Sequence, residues 1–135
     1  MAIKTMNPAG LVEPQGYAHV GIATGSRTVY ISGQVAQDAS GTVLGVGDLA
    51  AQTEQALINV GIALDAAGAT FGDVVKNTIY VVGWRPEMMA ALSDGLGRVA
   101  ERLGIDAVRP TTLVGVEALA APDLLVEFDV IAVVD

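Results

Sequence analysis

The run Leu124-Leu125-Val126-Glu127-Phe128-Asp129-Val130-Ile131-Ala132 sets two carboxylates two residues apart in an otherwise apolar stretch. Side chains of a strand alternate with period two, so Glu127 and Asp129 share one face. A carboxylate held against apolar walls has its acid form favoured, which is how a general acid or base is tuned. The same spacing also describes the solvated face of an edge strand, and the pair reads either way. His19 is the one imidazole, either a base or, more commonly for a lone histidine in a strand, a packed or surface residue. With no cysteine there is no Cys/His nucleophile pair and no thiolate zinc site, and one histidine excludes a zinc site built on several imidazoles. Met88 and Met89 read as packing residues rather than ligands.

Gly45-Val46-Gly47-Asp48-Leu49-Ala50 matches the GxGxxA dinucleotide pattern, with Asp65 twenty residues beyond Gly45. Its context refutes it. Asp65 falls on the same helix rather than after a second strand, and Asp48 sets a carboxylate where pyrophosphate must bind. There is no GxxxxGK-Ser/Thr phosphate loop and no GxSxG elbow.

Residues 28–35 are β-branched and aromatic and read as a strand, with His19–Ala23 as its hairpin partner turned at Gly25-Ser26. Residues 36–47 carry Asp38, Ser40, Gly41, Gly45 and Gly47, which is loop chemistry. Asp48 then caps a helix whose apolar stripe is Leu49, Ala56, Val60, Leu64 and Ala67, stopped by Gly68. Residues 73–82 form a strand with Val75, Ile79 and Val81 on one side. Pro86 suits the first turn of a second helix with the stripe Met89, Leu92, Leu96, Val99 and Leu103, ended by Gly104. Strands from Thr111 to Leu119 and from Leu124 to Val134 are separated by the turn Pro122-Asp123. The order β-β-α-β-α-β-β, with room for a further strand at the start, predicts an α+β fold of two layers, helices on one face of a mixed sheet. The other face then needs a cover.

The length of 135 residues and mass of 13.8 kDa suit one domain over residues 1–135. At 52% hydrophobic, 16% charged and mean hydropathy +0.52, the chain is neither disordered nor a disulfide scaffold. A net charge of −8 and a pI near 4.3 argue against a nucleic-acid partner. No apolar run of about 18 residues suggests a membrane span, and the first residues lack a secretory stretch, so a cytoplasmic location is expected. A monomer of this mass exposes roughly 6,600 Å², hard to cover with so few charges unless partner subunits bury part of it.

Several stretches together resemble the YjgF/RidA family of reactive-intermediate deaminases. Gly16-Tyr17-Ala18-His19-Val20 resembles the family's early Gly-x-Tyr-Ser-x-x-Val segment, and Ile31-Ser32-Gly33-Gln34-Val35 its Ser-Gly-Gln strand end. Gln52-Thr53-Glu54-Gln55-Ala56-Leu57-Ile58-Asn59-Val60 is similar to the first helix, Ala67-Gly68 with Asp73-Val74-Val75-Lys76 to the next boundary, and Val126–Ala132 to the closing strand. The resemblance implies a chorismate-mutase-like fold, a homotrimer with a small-molecule cleft at each subunit interface, and hydrolysis of 2-imino acids to 2-keto acids and ammonia. It implies no metal or organic cofactor, since the imine carbon is already electrophilic and positioning with one proton relay suffices.

By the same resemblance the catalytic glutamate falls on Glu127, and the cleft's Tyr and Ser fall on Tyr17 and Ser32. The family's arginine, which grips the substrate carboxylate bidentately, precedes a Val-x-Val strand. Here that stretch reads Arg109-Pro110-Thr111-Thr112-Leu113-Val114-Gly115-Val116, and the alignment sets Thr111 at the arginine position. A neutral hydroxyl does not replace a charged fork, whose contact is worth about 1.5–3 kcal/mol. Arg109, two residues back on the same strand face, is either a surrogate clamp or a plain surface charge. Leu113 shares the Thr111 face and adds an apolar wall. The expected function is imine or enamine hydrolysis on a substrate other than the usual small 2-imino acids. The alternative is a trimeric ligand-binding or interaction protein without that activity. RNA cleavage, also attached to the family, is disfavoured, because three chains at −8 each give −24.

Overall fold

The computed structural model describes residues 2–135. In chain order the elements are strands β1 (Ala2–Met6), β2 (Val20–Thr24) and β3 (Arg27–Gln34), helix α1 (Leu49–Ala66) and strand β4 (Val74–Val82). Helix α2 (Met89–Leu103) and strands β5 (Thr111–Val116) and β6 (Val126–Val134) complete it. A four-stranded mixed sheet runs in the order β3-β6-β4-β5, antiparallel except for the parallel β4–β5 pair. The α+β layout of two helices on a mixed sheet is the expected one. The predicted hairpin differs: β2 pairs antiparallel with β1, not with β3. Just before β2, Ala18 bridges Pro110 in parallel and its N–H donates to the Arg109 carbonyl at 3.2 Å. The segment leading into β2 thereby runs beside the start of β5.

Both helices begin and end where the sequence signals lie. Asp48 Oδ1 accepts from the Ala51 N–H at 3.0 Å, satisfying one orphan donor of the first turn of α1. Gly68 and Gly104 adopt φ of +73° and +63° just past α1 and α2, where a Cβ would be strained. Pro86 opens a single 3₁₀ turn, Pro86–Met88, that leads into α2. Leu49, Ala56, Val60 and Leu64 of α1 and Leu92 and Val99 of α2 are buried against the sheet. Met89 and Leu103, the ends of the predicted α2 stripe, are exposed.

Strand β6 divides its residues strictly between two faces. Val126, Phe128, Val130, Ala132 and Val134 are buried under the helices, whereas Glu127, Asp129, Ile131 and Val133 are half-buried on the far face. On β4, a register shift between Val74 and Lys76 inserts one residue against β6. Val74, rather than the predicted Val75, therefore joins Ile79 and Val81 in the core.

Two contacts fix the helix layer. A Cβ on Gly95 of α2 would lie 2.6 Å from both the Ala50 carbonyl oxygen and Thr53 Cβ, so the helices cross there almost backbone to backbone. Gly95→Ala is expected to lower stability by about 1–3 kcal/mol, despite alanine's better helix propensity, read as a lower urea midpoint. Gln52, fully buried, donates Nε2 to the Gly45 and Asp123 carbonyls at 3.2 and 2.8 Å. Its Oε1 accepts from the Leu125 N–H at 2.9 Å. It ties the loop before α1 to the turn before β6, where Asp123 adopts φ +68°. No helix among the described residues is long and apolar enough to cross a membrane.

Candidate functional site

The registers decide which candidate residues share a surface. Asn77, Ile79 and Val81 of β4 pair with Thr111, Leu113 and Gly115 of β5, and Ile79 pairs with Phe128 of β6. Since Phe128 and Ile79 are buried under the helices, Thr111 and Leu113 face the helix side as well. Tyr80, which pairs with both Glu127 and Val114, faces the opposite way. Glu127 and Thr111 therefore lie on opposite faces of one sheet, and a single chain does not bring them together.

On the helix side, two adjoining cavities of about 350 and 270 Å³ lie between β5 and α2. Both are lined by Gly16, Ile79, Ser93, Leu96 and Thr111; Tyr17, Leu113 and Met89 line the larger, and Asn77 lines the smaller. Tyr17 is delivered by the Ala18–Pro110 bridge and packs edge-on against His19, ring centroids 5.2 Å apart. His19 Nε2 lies 2.6 Å from the Val12 carbonyl oxygen, so the ring braces the loop carrying Tyr17. The Thr111 hydroxyl donates to the Arg109 carbonyl at 2.8 Å. Beside it, Asn77 Oδ1 is buried without a hydrogen-bond partner.

Arg109 leans away from these cavities. Its guanidinium donates to the carbonyls of Val74 at 2.8 Å, Val108 at 2.7 Å and Gly72 at 3.4 Å, with Asp106 at 4.0 Å. It lines, with Phe71 and Val74, a cavity of about 40 Å³ that adjoins the smaller of these, the two sharing Asn77 and Leu96.

On the far face, β3 sets two residues, Ser32 and Gly33, against the single Asp129, between the pairs Ile31–Val130 and Gln34–Phe128. This bulge brings Gly33 under the Glu127 side chain: a Cβ there would overlap the carboxylate and lie 2.9 Å from Cγ. The absent side chain of Gly33 thus makes the space in which the carboxylate rests, a role not read from the Ser-Gly-Gln resemblance. Gly33→Ala is expected to turn the carboxylate aside because that end is flexible. Stability should stay within about 0.5 kcal/mol, read as an unchanged urea midpoint, so the substitution tests any role of the carboxylate without unfolding the chain.

Asn77, Ser93 and Met89 also escaped the sequence reading. For Asn77 a signal existed, a polar residue at an alternating core position of β4. For the other two, only the packing of α2 against β5 shows it. No group of three or more His, Asp and Glu among the described residues could hold a metal ion.

The fold accords with known proteins. Residues 11–134 match the family model described as Endoribonuclease L-PSP, and the chain belongs to that family, the YjgF/RidA group. The YyfB protein of Yersinia pestis, a member of the conserved Rid family of unknown function, is 38% identical over 99% of this chain and 100% of its own, with a TM-score of 0.87. The YjgF gene product of E. coli is 27% identical over 98% of both chains, with a TM-score of 0.68. The human 2-iminobutanoate/2-iminopropanoate deaminase is 40% identical over 79 residues, 58% of this chain. That match spans only 55% of the human protein's length.

Proposed function

We propose that three copies of this chain assemble with the helix-side cavity of one against the Glu127 face of the next. The cleft so formed hydrolyses an imine or enamine to a carbonyl compound and ammonia, on a substrate other than the usual small 2-imino acids. The observation that carries this reading is the back-to-back placement of Thr111 and Glu127, which leaves each half of the site incomplete within one chain. A second supports assembly. The chain exposes 7314 Å², about a tenth more than a monomer of its mass should. Val82, Val114, Ile131 and Val133 contribute apolar side chains to the face opposite the helices.

In this cleft Tyr17, Thr111 and Leu113 shape one wall, and Ser32 and Glu127 the other. Glu127 takes a proton from water as the water oxygen bonds to the iminium carbon, returns it to nitrogen, and takes the hydroxyl proton as the C–N bond breaks to leave a carbonyl and ammonia. Positioning does the rest, and no electrons change hands between partners, so the reaction needs no redox cofactor. Arg109 acts as a positioning residue: its guanidinium is anchored on Val74 and Gly72 while its carbonyl holds the Thr111 hydroxyl.

The test generates imines with amino-acid and amine oxidases and traps survivors with semicarbazide. Protein that lowers the semicarbazone yield is active; no effect on any imine would sink the deaminase reading in favour of a trimer that only binds its ligand, the reading that Thr111's neutral hydroxyl favours. For assembly, sedimentation at micromolar concentration should give a species of about 41 kDa, three chains of 13.8 kDa each. A 13.8 kDa species would refute it.

A further inference from the structure

We infer that the helix-side cavity selects ligands presenting N–H donors on an apolar arm and rejects carboxylates, so that the substrate is the imine of a simple amine rather than of an amino acid. The inference rests on the deaminase reading of that cavity and narrows its substrate class.

Two observations carry it. Among the described residues, no Lys, Arg or His side chain lines either cavity, and Arg109, which lines the small cavity adjoining them, is spent on three backbone carbonyls. The Thr111 hydroxyl has committed its one proton to the Arg109 carbonyl, so toward the cavity it presents only lone pairs. Asn77, which pairs with Thr111 across β4 and β5, adds no charge either: its Oδ1 is buried and its amide can donate as well as accept, so it does not discriminate. The Tyr17 and Ser93 hydroxyls can donate or accept and do not discriminate. Leu92, Leu96, Met89 and Leu113 supply apolar wall for an alkyl arm.

An iminium group fits this arrangement, an N–H bond aimed at the Thr111 lone pairs and its charge attractive to the Glu127 carboxylate across the cleft. A carboxylate would meet the Thr111 lone pairs on one wall and the like charge of Glu127 on the other, with no cation among the described residues lining the cavities to compensate. The balanced step is iminium plus water to carbonyl plus ammonium. A C–O bond forms, the C–N bond breaks with its electrons leaving on nitrogen, and nothing is oxidised. The class of reaction that supplies such a substrate is oxidation of a primary amine.

Isopentylammonium and 4-methylpentanoate carry the same branched arm with opposite heads, and calorimetry on the intact protein compares them. The ammonium is expected to bind at least about tenfold more tightly. Thr111→Val, which keeps shape but removes the acceptor, should weaken the ammonium by about the same factor and leave the carboxylate unchanged. Thr111→Arg should invert the order. Equal or tighter binding of the carboxylate, binding of neither, or an order untouched by Thr111→Val would overturn the inference. Turnover separates it from the parent reading. Preference for the leucine-derived imino acid over the isopentylamine-derived imine overturns the substrate class and keeps the deaminase. Hydrolysis of neither, with the ammonium preference intact, removes the deaminase and keeps the selectivity.

Discussion

Glu127→Gln is expected to lower imine hydrolysis by about 10²–10⁴-fold while moving Tm by no more than about 2 °C. Glutamine keeps the length and shape of the side chain and removes only its ability to take a proton. The fold has little to lose at this position. Among the described residues the Glu127 carboxylate makes no hydrogen bond and no ion pair, resting instead over the bare backbone of Gly33. Its neighbours Val126 and Phe128 carry the core contacts on the other face. The check pairs a semicarbazide-trapping rate with a thermal melt on the same preparation. A rate within threefold of wild type, about 0.7 kcal/mol, would remove Glu127 from the chemistry.

Gln52→Leu should have the opposite signature, a large loss of stability from a residue far from any proposed chemistry. Leucine fills nearly the same volume, so the packing term is small and the polar term dominates. The Gly45 and Asp123 carbonyls and the Leu125 N–H lose their partner. Each buried group left unsatisfied costs about 1–3 kcal/mol. Relaxation will recover part of the sum, leaving about 3 kcal/mol or more, a large share of the 5–15 kcal/mol typical of a domain. The melting temperature should fall by about 10 °C. A drop under about 3 °C would mean that the three groups find other partners.

What the sequence made legible was whatever depends on neighbours along the chain. Asp48, Gly68 and Gly104 mark helix ends by local backbone requirements, and the alternation of Val126, Phe128, Val130, Ala132 and Val134 separates the two faces of β6. What escaped depends on neighbours across the fold. β2 takes β1 as its partner, and the Ala18–Pro110 bridge just before it joins residues more than ninety apart; no turn signal at Gly25-Ser26 reveals either. The bulge in β4 moves the core position from Val75 to Val74, because one inserted residue reverses the alternation on its far side. Gln52 was visible as a polar residue on the apolar stripe of α1, but its three partners lie on two distant loops. For the candidate site, the sequence and the family resemblance name Glu127 and Thr111 without showing that they face away from each other. That follows only once β4, β5 and β6 are in register.

If one chain carries its two half-sites on opposite faces of a sheet, the unit that turns substrate over is a pair of neighbours rather than a polypeptide. Two inactive proteins should then rescue one another. A Glu127→Gln chain keeps a sound cavity, and a Leu113→Trp chain with its cavity filled keeps a sound carboxylate. Each alone gives no working cleft. Unfolded together in equal amounts and refolded into mixed rings, they should regain about a quarter of wild-type activity, the chance that a good cavity meets a good neighbour.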